Sequence, residues 1–304
     1  KKISGMQSGD ILMLENVRFY KVEMIAADEF AKKLCTGKDI VVFDGFPQTH
    51  RIHASTTGIE RHLPSVAGLY LEQEVNMLSK LLENPKHPFT VIIGGAKISD
   101  KVEAVNNLLN VADTFLVGGA VANIFLKAQG EAMGTSFIED VFVDKAKHEK
   151  KDPVENAKEI LKRAESLGKK IVTPRDLVVF DGVTVNIVDM KRDEILAGWG
   201  AFDIGPRAGK DFSLIIDQSK TVFLAGPVGK FEDGRFAQGS KIILKAMKNS
   251  GGDTIVAGGD TIDCVLKYAD LKDYSHVSLA GGATLEFLAG KELPALVPLM
   301  EQNK

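Results

Sequence analysis

The chain is 304 residues long, with 44% hydrophobic and 26% charged residues, which is typical of a folded globular protein with room for two domains. Its net charge of −3 excludes a surface potential that would attract nucleic acid or an anionic membrane, and no apolar stretch reaches the roughly 18 residues of a membrane span. Two distant cysteines, Cys35 and Cys264, indicate neither a disulfide framework nor a cysteine metal motif, which favours a cytoplasmic location.

The first seventy residues contain two strand-like apolar runs and one helical pattern. The runs cover residues 11–14 and 40–43, and the helical pattern covers residues 26–35. Two strands and one helix are too few to close a domain. This segment therefore predicts an incomplete α/β unit.

The rest of the chain alternates between strand-like runs and helical patterns. One amphipathic helix is predicted over residues 71–82, ended by Pro85 and Pro88. The alternation that follows, up to about residue 290, predicts a doubly wound parallel sheet, and residues 182–205 predict a hairpin or an irregular insertion. Further helices are predicted at residues 100–109, 152–167, 240–248 and 260–268.

Five apolar runs in this region stop at a pair of small residues, usually two glycines. Short β-branched runs without polar alternation are typical of strands buried on both faces of a parallel sheet. Glycine at the carboxyl end of such a strand lets the backbone approach a ligand, and the following helix offers free N–H groups. The edge where these strands end is therefore predicted to hold phosphate. The runs are residues 90–93, 114–117, 221–224, 254–256 and 276–279.

The segment after the first of these runs carries the most chemistry. Ser99 is a good candidate N-cap for the next helix, and Lys97 and Lys101 flank the first turn of that helix. Two positive charges at a helix N-terminus oppose the helix dipole, and a bound anion would relieve this conflict. The alternative is two surface lysines beside a tight turn.

Two acidic residues near other strand ends each have two interpretations. Asp260 can be a simple helix N-cap, or a magnesium ligand beside nucleotide phosphates. Glu232 can accept hydrogen bonds from a ribose, or point into solvent. No Gly-Lys pair precedes Ser or Thr, so there is no P-loop, and the absence of a dinucleotide fingerprint argues against a dinucleotide-dependent oxidoreductase.

Arginine and histidine residues cluster in the early segment. The planar guanidinium groups of Arg18 and Arg51 suit an anionic substrate. His50, His53 and His62 have no Cys or acidic partner at a useful spacing, which argues against a metal site. We therefore expect an anion site built on the two arginines.

Eight short motifs, in order along the chain, resemble those of phosphoglycerate kinases over essentially all 304 residues. The most diagnostic is G-G-A-K-I-S-D-K at residues 94–101. The other seven are E-N-V-R-F at 15–19, H-R-I-H-A-S at 50–55, G-G at 118–119, D-I-G-P at 203–206, G-P-x-G-x-F-E at 226–232, G-G-D-T at 258–261 and G-G-A at 281–283.

The resemblance implies a two-lobed, hinged monomer that moves a phosphoryl group between 1,3-bisphosphoglycerate and ADP, giving 3-phosphoglycerate and ATP with Mg²⁺. It implies no nucleic-acid or membrane partner. It divides the chain into a partial substrate domain (1–70), an interdomain helix (71–85), a Rossmann-like nucleotide-binding domain (86–290) and a C-terminal tail (291–304).

Roles for individual residues also follow from the resemblance. Arg18 and Arg51 would hold phosphoglycerate, and Lys101 would steady the transferring phosphoryl group with help from the N–H groups of Gly259 and Gly282. Asp260 would hold magnesium. The nucleotide contacts would come from Gly95, Lys97, Gly118, Gly119, Pro227, Glu232, Gly258, Gly259, Asp260 and Thr261.

The chain also departs from the family pattern. The family's N-terminal strands have no counterpart here, nor does an arginine that contacts the phosphoryl group, which predicts impaired turnover of the chain as given. Ala225, Leu279, Ala280 and Pro47 replace Asn, Thr, Gly and Gly of the family. The alternative function is a nucleotide-binding homologue that has lost phosphoryl transfer and acts in regulation or scaffolding.

Overall fold

The computed structural model describes residues 3–144 and 149–301, which form two compact α/β units. The first unit contains the chain up to Leu78 and the segment from Gly290 onward, and the second contains Ser79–Ala289. Residues 1, 2, 145–148 and 302–304, which lie within the predicted substrate domain, nucleotide domain and tail, are outside the described residues.

Helices and strands alternate through most of the described chain. The α-helices are α1 (Lys21–Met24), α2 (Asp28–Cys35), α3 (Leu69–Glu83), α4 (Val102–Leu108), α5 (Gly119–Ala128), α6 (Pro153–Ser166), α7 (Pro206–Gln218), α8 (Gln238–Asn249), α9 (Gly259–Tyr268), α10 (Gly282–Leu288) and α11 (Val297–Glu301). The strands are β1 (Val41–Phe43), β2 (Ser65–Ala67), β3 (Phe89–Ile93), β4 (Thr114–Val117), β5 (Phe142–Asp144), β6 (Glu149–Lys151), β7 (Lys170–Val172), β8 (Asp176–Phe180), β9 (Val185–Asp189), β10 (Gly200–Ile204), β11 (Thr221–Ala225), β12 (Asp253–Ala257) and β13 (His276–Ser278). A π-helical turn covers Ala54–Gly58, and 3-10 turns cover Ile3–Gly5, Val17–Phe19, Phe46–Gln48, Ile59–Arg61, Gly234–Phe236 and Leu271–Asp273.

The first unit is built around the short parallel pair β1–β2. Helix α2 packs against the turns at Ala54–Gly58 and Ile59–Arg61, and helix α11 packs against β2. The N–H of Ala295, just before α11, donates to the carbonyl of Thr49 at 3.0 Å. The strand predicted at residues 11–14 is wrong, because this segment has no strand partner and Ile11 is 96% exposed. A lone apolar run cannot form a strand without a neighbour that accepts its backbone hydrogen bonds.

The second unit is built around a six-stranded parallel sheet in the order β13-β12-β11-β3-β4-β7. Numbered along the chain, these strands run 3-2-1-4-5-6 across the sheet, which is the Rossmann order. Every residue of β3 and β11 is buried, so helices cover both faces, as the predicted doubly wound fold requires. The sequence predicted five of the six strands and missed β7, whose apolar part is only Ile171 and Val172.

The predicted insertion is a separate antiparallel sheet in the order β10-β8-β9. Its inner face packs around a small core that includes Leu177, Val179 and Met190, with the single Trp199 against it. Residues 182–205 supply β9 and β10, which both pair with β8 and not with each other, so the insertion is found but the predicted range holds only one strand of the β8–β9 hairpin. Its first strand begins earlier than expected, at Asp176.

Candidate functional site

The glycine-rich strand ends of the second unit lie at one edge of the six-stranded sheet, because all six strands are parallel. β3 and β11 are neighbours at the centre, and the strand order reverses direction between them. In open α/β sheets, ligands bind in the crevice outside the carboxyl ends of the strands at such a switch point. The candidate site is therefore the edge formed by the loops that follow β3, β4, β11, β12 and β13.

Three of these loops touch through their backbones. The N–H of Gly95 donates to the carbonyl of Pro227 at 2.7 Å, and the N–H of Gly119 donates to the carbonyl of Val228 at 2.7 Å. A Cβ atom placed on Gly94 would lie 2.2 Å from the Pro227 oxygen, which is far inside van der Waals contact. Position 94 therefore has no room for a side chain, and the backbone of this loop forms the surface at the edge.

The loop after β3 carries the two predicted lysines. Lys97 is exposed, whereas Lys101 is partly buried and its Nζ atom donates to the Lys97 carbonyl at 3.1 Å. Burial lowers the pKa of the Lys101 ammonium, and the negative charges of Asp100, Asp260 and Glu139 oppose this effect. The Lys101 side chain therefore lies within the electrostatic field of Asp260.

Ser99 is not the N-cap of the following helix. Helix α4 begins at Val102, and the hydroxyl of Ser99 instead donates to the carboxylate of Glu139. The N–H groups of Ile98 and Ser99 donate to the same carboxylate at 2.9 and 3.1 Å. Sequence reasoning missed Glu139, because it lies 40 residues further along the chain and no local pattern connects the two segments.

Asp260 is not an N-cap either. The position before α9 is Gly258, which has a positive φ of 94° and no side chain with which to cap the helix. Asp260 lies in the first turn and is exposed, and in the described part of the chain its carboxylate has no hydrogen-bond partner. The carboxylate is therefore free to bind a cation.

Thr261 lies beneath the site rather than on its surface. It is 2% exposed, and its hydroxyl oxygen accepts a hydrogen bond from the N–H of Gly226 at 2.8 Å. Gly226 has a φ of 94°, and a Cβ atom there would lie 2.4 Å from the Gly94 carbonyl oxygen. Thr261 therefore fixes the loop after β11 against the start of α9.

The far end of the same loop is held by the other end of α9. Lys267 donates from Nζ to the carbonyl of Glu232 at 2.9 Å, and the Tyr268 hydroxyl donates to the carbonyl of Phe231 at 2.9 Å. The carboxylate of Glu232 itself remains exposed. No local pattern points to Lys267 or Tyr268, because both bind backbone carbonyls of a loop that is distant along the chain.

The remaining predicted positions of the second unit also lie along this edge. Gly118 is buried under the Val228 side chain, and exposed Gly259 and Gly282 begin α9 and α10. A Cβ atom on Gly281 would lie 3.8 Å from the Cα atom of Gly258, so the last two loops are adjacent. The structure thus brings the loops that carry the predicted residues of the second unit to one edge of the sheet, with Thr261, Gly118 and Pro227 buried beneath its surface.

The two predicted arginines belong to the first unit. The Arg18 guanidinium donates to the side-chain oxygen of Gln48, and the Arg51 N–H donates to the Gln48 carbonyl at 3.0 Å. Burial lowers the pKa of His53, and the positive charges of Arg18 and Arg51 lower it further. Both guanidinium groups therefore lie near His53 and face solvent.

Two histidines of this unit, His53 and His62, lie beside carboxylates. His62 lies 2.6 Å from Asp28, and His53 lies 3.8 Å from buried Glu23. In residues 3–144 and 149–301, no cluster of three or more histidine, cysteine or acidic side chains is arranged to hold a metal ion. Within the same residues, no helix is both long enough and apolar enough to cross a membrane.

Comparisons with known proteins agree with this geometry. The family model described as phosphoglycerate kinase matches residues 1–291. Phosphoglycerate kinases of Coprothermobacter proteolyticus and Pseudothermotoga lettingae are each 41% identical, over 301 and 306 residues, which is 99% of this chain and 74% of each relative.

Solved structures give the same result. Phosphoglycerate kinase from Pyrococcus horikoshii OT3 superposes with a TM-score of 0.85 at 32% identity, covering 98% of this chain and 75% of that one. The Coxiella burnetii structure superposes with a TM-score of 0.84 at 35% identity, covering 95% and 72%. The chain belongs to the phosphoglycerate kinase family.

Proposed function

We propose that this chain transfers a phosphoryl group between 1,3-bisphosphoglycerate and ADP, giving 3-phosphoglycerate and ATP, with the nucleotide bound at the glycine-lined edge of the six-stranded sheet. Family membership makes the chain a phosphotransferase of glycolysis. The observation that supports this location is the convergence of the loops after β3, β4 and β11, with two lysines and one free carboxylate at the same rim.

The nucleotide contacts in this proposal come mostly from backbone. Gly118, Gly119 and Pro227 line the nucleoside pocket, and the exposed carboxylate of Glu232 accepts hydrogen bonds from the ribose. Lys97 and the N–H groups at the start of α9, from Gly259 onward, hold the phosphates. Gly95 and Gly258 shape the loops that carry these groups, because their own N–H groups donate to the carbonyls of Pro227 and Ser278. Thr261 supports these contacts through the Gly226 N–H rather than by touching the ligand, because its hydroxyl is buried.

Positioning and charge neutralisation are sufficient for phosphoryl transfer, so no covalent intermediate is required. Lys101 is placed to neutralise charge on the moving phosphoryl group. Its ammonium is partly desolvated, which strengthens its attraction to an anion compared with the same charge in water. The N–H groups at Gly259 and Gly282 add fixed partial charges at the same rim.

Magnesium fits the donor set at this edge. Asp260 offers a single exposed carboxylate, and Mg²⁺ in nucleotide sites takes one or two carboxylates and completes its shell with phosphate oxygens and water. Asp260 would hold the ion, which when bound neutralises phosphate charge.

Arg18 and Arg51 bind phosphoglycerate in this proposal. Both guanidinium groups are exposed, and their charges converge on the surroundings of His53. Fork-shaped donors suit both the phosphate and the carboxylate of this substrate. The predicted domain limits remain part of the proposal, with α3 as the connector and residues 86–290 as the nucleotide-binding domain. A cytoplasmic location is also proposed. The proposed monomeric state can be tested by size-exclusion chromatography.

The experiment pairs ligand binding with turnover. Saturating ADP and magnesium should raise the unfolding temperature, since a ligand at about 100 times its Kd adds about 2.7 kcal/mol to the free energy of unfolding.

Lys101→Ala should reduce kcat by about 10²-fold or more, with a smaller change in ADP affinity. Lys210→Ala, an exposed lysine on α7, should leave both unchanged. If ADP does not raise the unfolding temperature, the proposed nucleotide site is wrong. If Lys101→Ala has the parent's kcat, Lys101 takes no part in the reaction.

A further inference from the structure

Glu139 connects the lysine loop to a part of the molecule that the proposed reaction does not use. Its side chain is 9% exposed, and its carboxylate accepts three hydrogen bonds from two consecutive residues. The donors are the N–H of Ile98 and the N–H and hydroxyl of Ser99. Both residues lie between Lys97 and Lys101, so the carboxylate holds the middle of the segment that carries both lysines.

The segment that carries Glu139 is itself anchored on two sides. The side-chain amide of Asn123, on α5, donates to the carbonyl of Phe137 at 3.2 Å. On the other side, the N–H of Thr135 donates to the carbonyl of Trp199 at 2.8 Å, and the N–H of Ala201 donates to the Ser136 hydroxyl at 2.9 Å. The antiparallel sheet and α5 thus fix the position from which Glu139 reaches the lysine loop.

On this side the lysine loop is held by the Ile98 side chain, which is 0% exposed, and by the hydrogen bonds to Glu139. The N–H groups of Ile98 and Ser99 are buried or nearly so and precede the first turn of α4, where no earlier carbonyl is available to them. The Lys101 N–H donates to the Ile98 carbonyl at 2.8 Å, so the direction of the Lys101 side chain depends on the orientation of the Ile98 peptide. A displacement of about 1 Å at a phosphoryl-transfer residue costs about 10²-fold in rate.

We propose that Glu139 is a positioning residue for phosphoryl transfer: it clamps the backbone of Ile98 and Ser99 and thereby holds Lys101 toward the transferring group. The inference rests on the proposed function of Lys101. It adds a role for the antiparallel sheet, which braces the catalytic loop through residues 135–139. Glu139 itself does not touch the substrates.

The test uses three variants of the chain. Glu139→Ala removes all three acceptors, Glu139→Gln keeps a side-chain oxygen for the two N–H groups, and Asp176→Asn is the matched control. Asp176 is also a buried carboxylate, 1% exposed, that accepts two backbone N–H groups, but these belong to Arg207 and Ala208 of α7, which do not take part in the site. Hydrogen exchange, kcat and the KM for ADP are measured for each.

We expect Glu139→Ala to speed exchange of the Ile98 and Ser99 amides at least tenfold and to lower kcat at least tenfold, with a change of less than threefold in KM. Glu139→Gln should recover most of kcat. Asp176→Asn should affect exchange at α7 and leave kcat within twofold. Equal losses of kcat in Glu139→Ala and Asp176→Asn, or unchanged kcat in Glu139→Ala, would overturn the proposal.

A double variant separates this inference from the proposed role of Lys101. If Glu139 acts through Lys101, adding Glu139→Ala to Lys101→Ala should lower kcat by less than threefold further. A further loss as large as in the single variant would show that Glu139 does not act through Lys101. If Lys101→Ala alone leaves kcat unchanged, the proposed role of Lys101 has failed, and faster exchange of the Ile98 and Ser99 amides would still show that Glu139 clamps the loop.

Discussion

Two aspartates of the second unit differ in exposure, and this difference decides what each can do. Asp203 is 3% exposed, and burial raises its pKa to about 7 although the N–H groups of Gly239 and Ile204 donate to it. Its carboxylate supports the fold beneath Gly229. Asp260 is exposed and carries no hydrogen bond within the described residues. Only Asp260 is therefore available to a ligand.

The assignment of Asp260 to magnesium predicts a specific loss. Asp260→Asn keeps the shape of the side chain and removes its charge, so magnesium should no longer strengthen ADP binding appreciably. In a calorimetric titration, the ratio of the ADP affinities with and without magnesium should fall at least tenfold. Asp263→Asn, an exposed aspartate on the same helix, is the control and should titrate like the parent. An intact magnesium effect in Asp260→Asn would show that the ion is held elsewhere.

At this scale the sequence predicted where charged residues lie in the fold better than it predicted their local partners. Lys97, Lys101 and Asp260 follow strand ends at the same edge of the sheet, and their roles toward a ligand stay a prediction. Ser99 and Asp260 were considered as N-caps, and neither caps a helix. Capping rules use local spacing. The true partner of Ser99 is Glu139, which tertiary structure brings in from another segment.

At the scale of elements, the site depends on how closely three loops approach. The carbonyl oxygens of Pro227 and Gly226 would lie 2.2 and 2.5 Å from a Cβ atom on Gly94. The loops cannot separate freely, because the N–H of Gly94 also donates to the Ala225 carbonyl at 2.9 Å. The close packing of β3 against β11 therefore continues beyond the ends of the strands.

This close approach predicts that one added methyl group at the rim is costly. Gly94→Ala should lower the free energy of unfolding by about 2 kcal/mol, because backbone atoms have to move to accept the Cβ atom, and it should weaken ADP binding. Gly234→Ala places its Cβ atom in open space, with no atom within 4 Å, and should change neither quantity. Urea denaturation measures the free energy of unfolding, and calorimetric titration measures ADP affinity. Equal stability of the Gly94→Ala and Gly234→Ala variants would contradict the close approach of the loops after β3 and β11.

Strand prediction succeeded where burial dominates and failed at the margins. Four of the strands of the six-stranded sheet were evident because apolar, largely β-branched residues fill them, whereas β13, with only Val277 between two polar residues, was found through the small residues that follow it. Strand β7 at the edge has only two apolar residues, and residues 11–14 are apolar without being paired. Pairing depends on neighbours, which a single run of sequence does not contain.

At the scale of the whole molecule, two units were expected from the chain length, from the contrast between residues 1–70 and the rest, and from the family resemblance, but the order of the strands at the candidate site was not predicted. The glycine pairs predict strand ends. They do not predict that the first and fourth strands of the sheet are neighbours, which is what brings the loops after β3 and β11 together. The same holds for the segment after Gly290, which packs on the first unit through the Ala295–Thr49 bond and was predicted as a tail.

Glu60 predicts how the stability of the first unit responds to pH. It is 6% exposed, and among the described residues neither of its carboxylate oxygens has a hydrogen-bond partner. Burial raises its pKa from 4.5 to about 7, so between these values the folded state holds a proton that the unfolded chain releases. Stability should therefore fall as pH rises from about 4.5 to about 7 and then level, and the shift corresponds to about 3 kcal/mol.

Glu60→Gln removes the titrating group at the same volume, so it should flatten this decline and make the first unit more stable than the parent at pH 8. Peptide-resolved hydrogen exchange between pH 5 and pH 8, corrected for the intrinsic exchange rate, follows the first unit separately from the second. Glu72→Gln, an exposed glutamate on α3, is the control and should retain the parent's decline. If Glu60→Gln kept the full decline, the burial of an unpaired carboxylate could not be its cause.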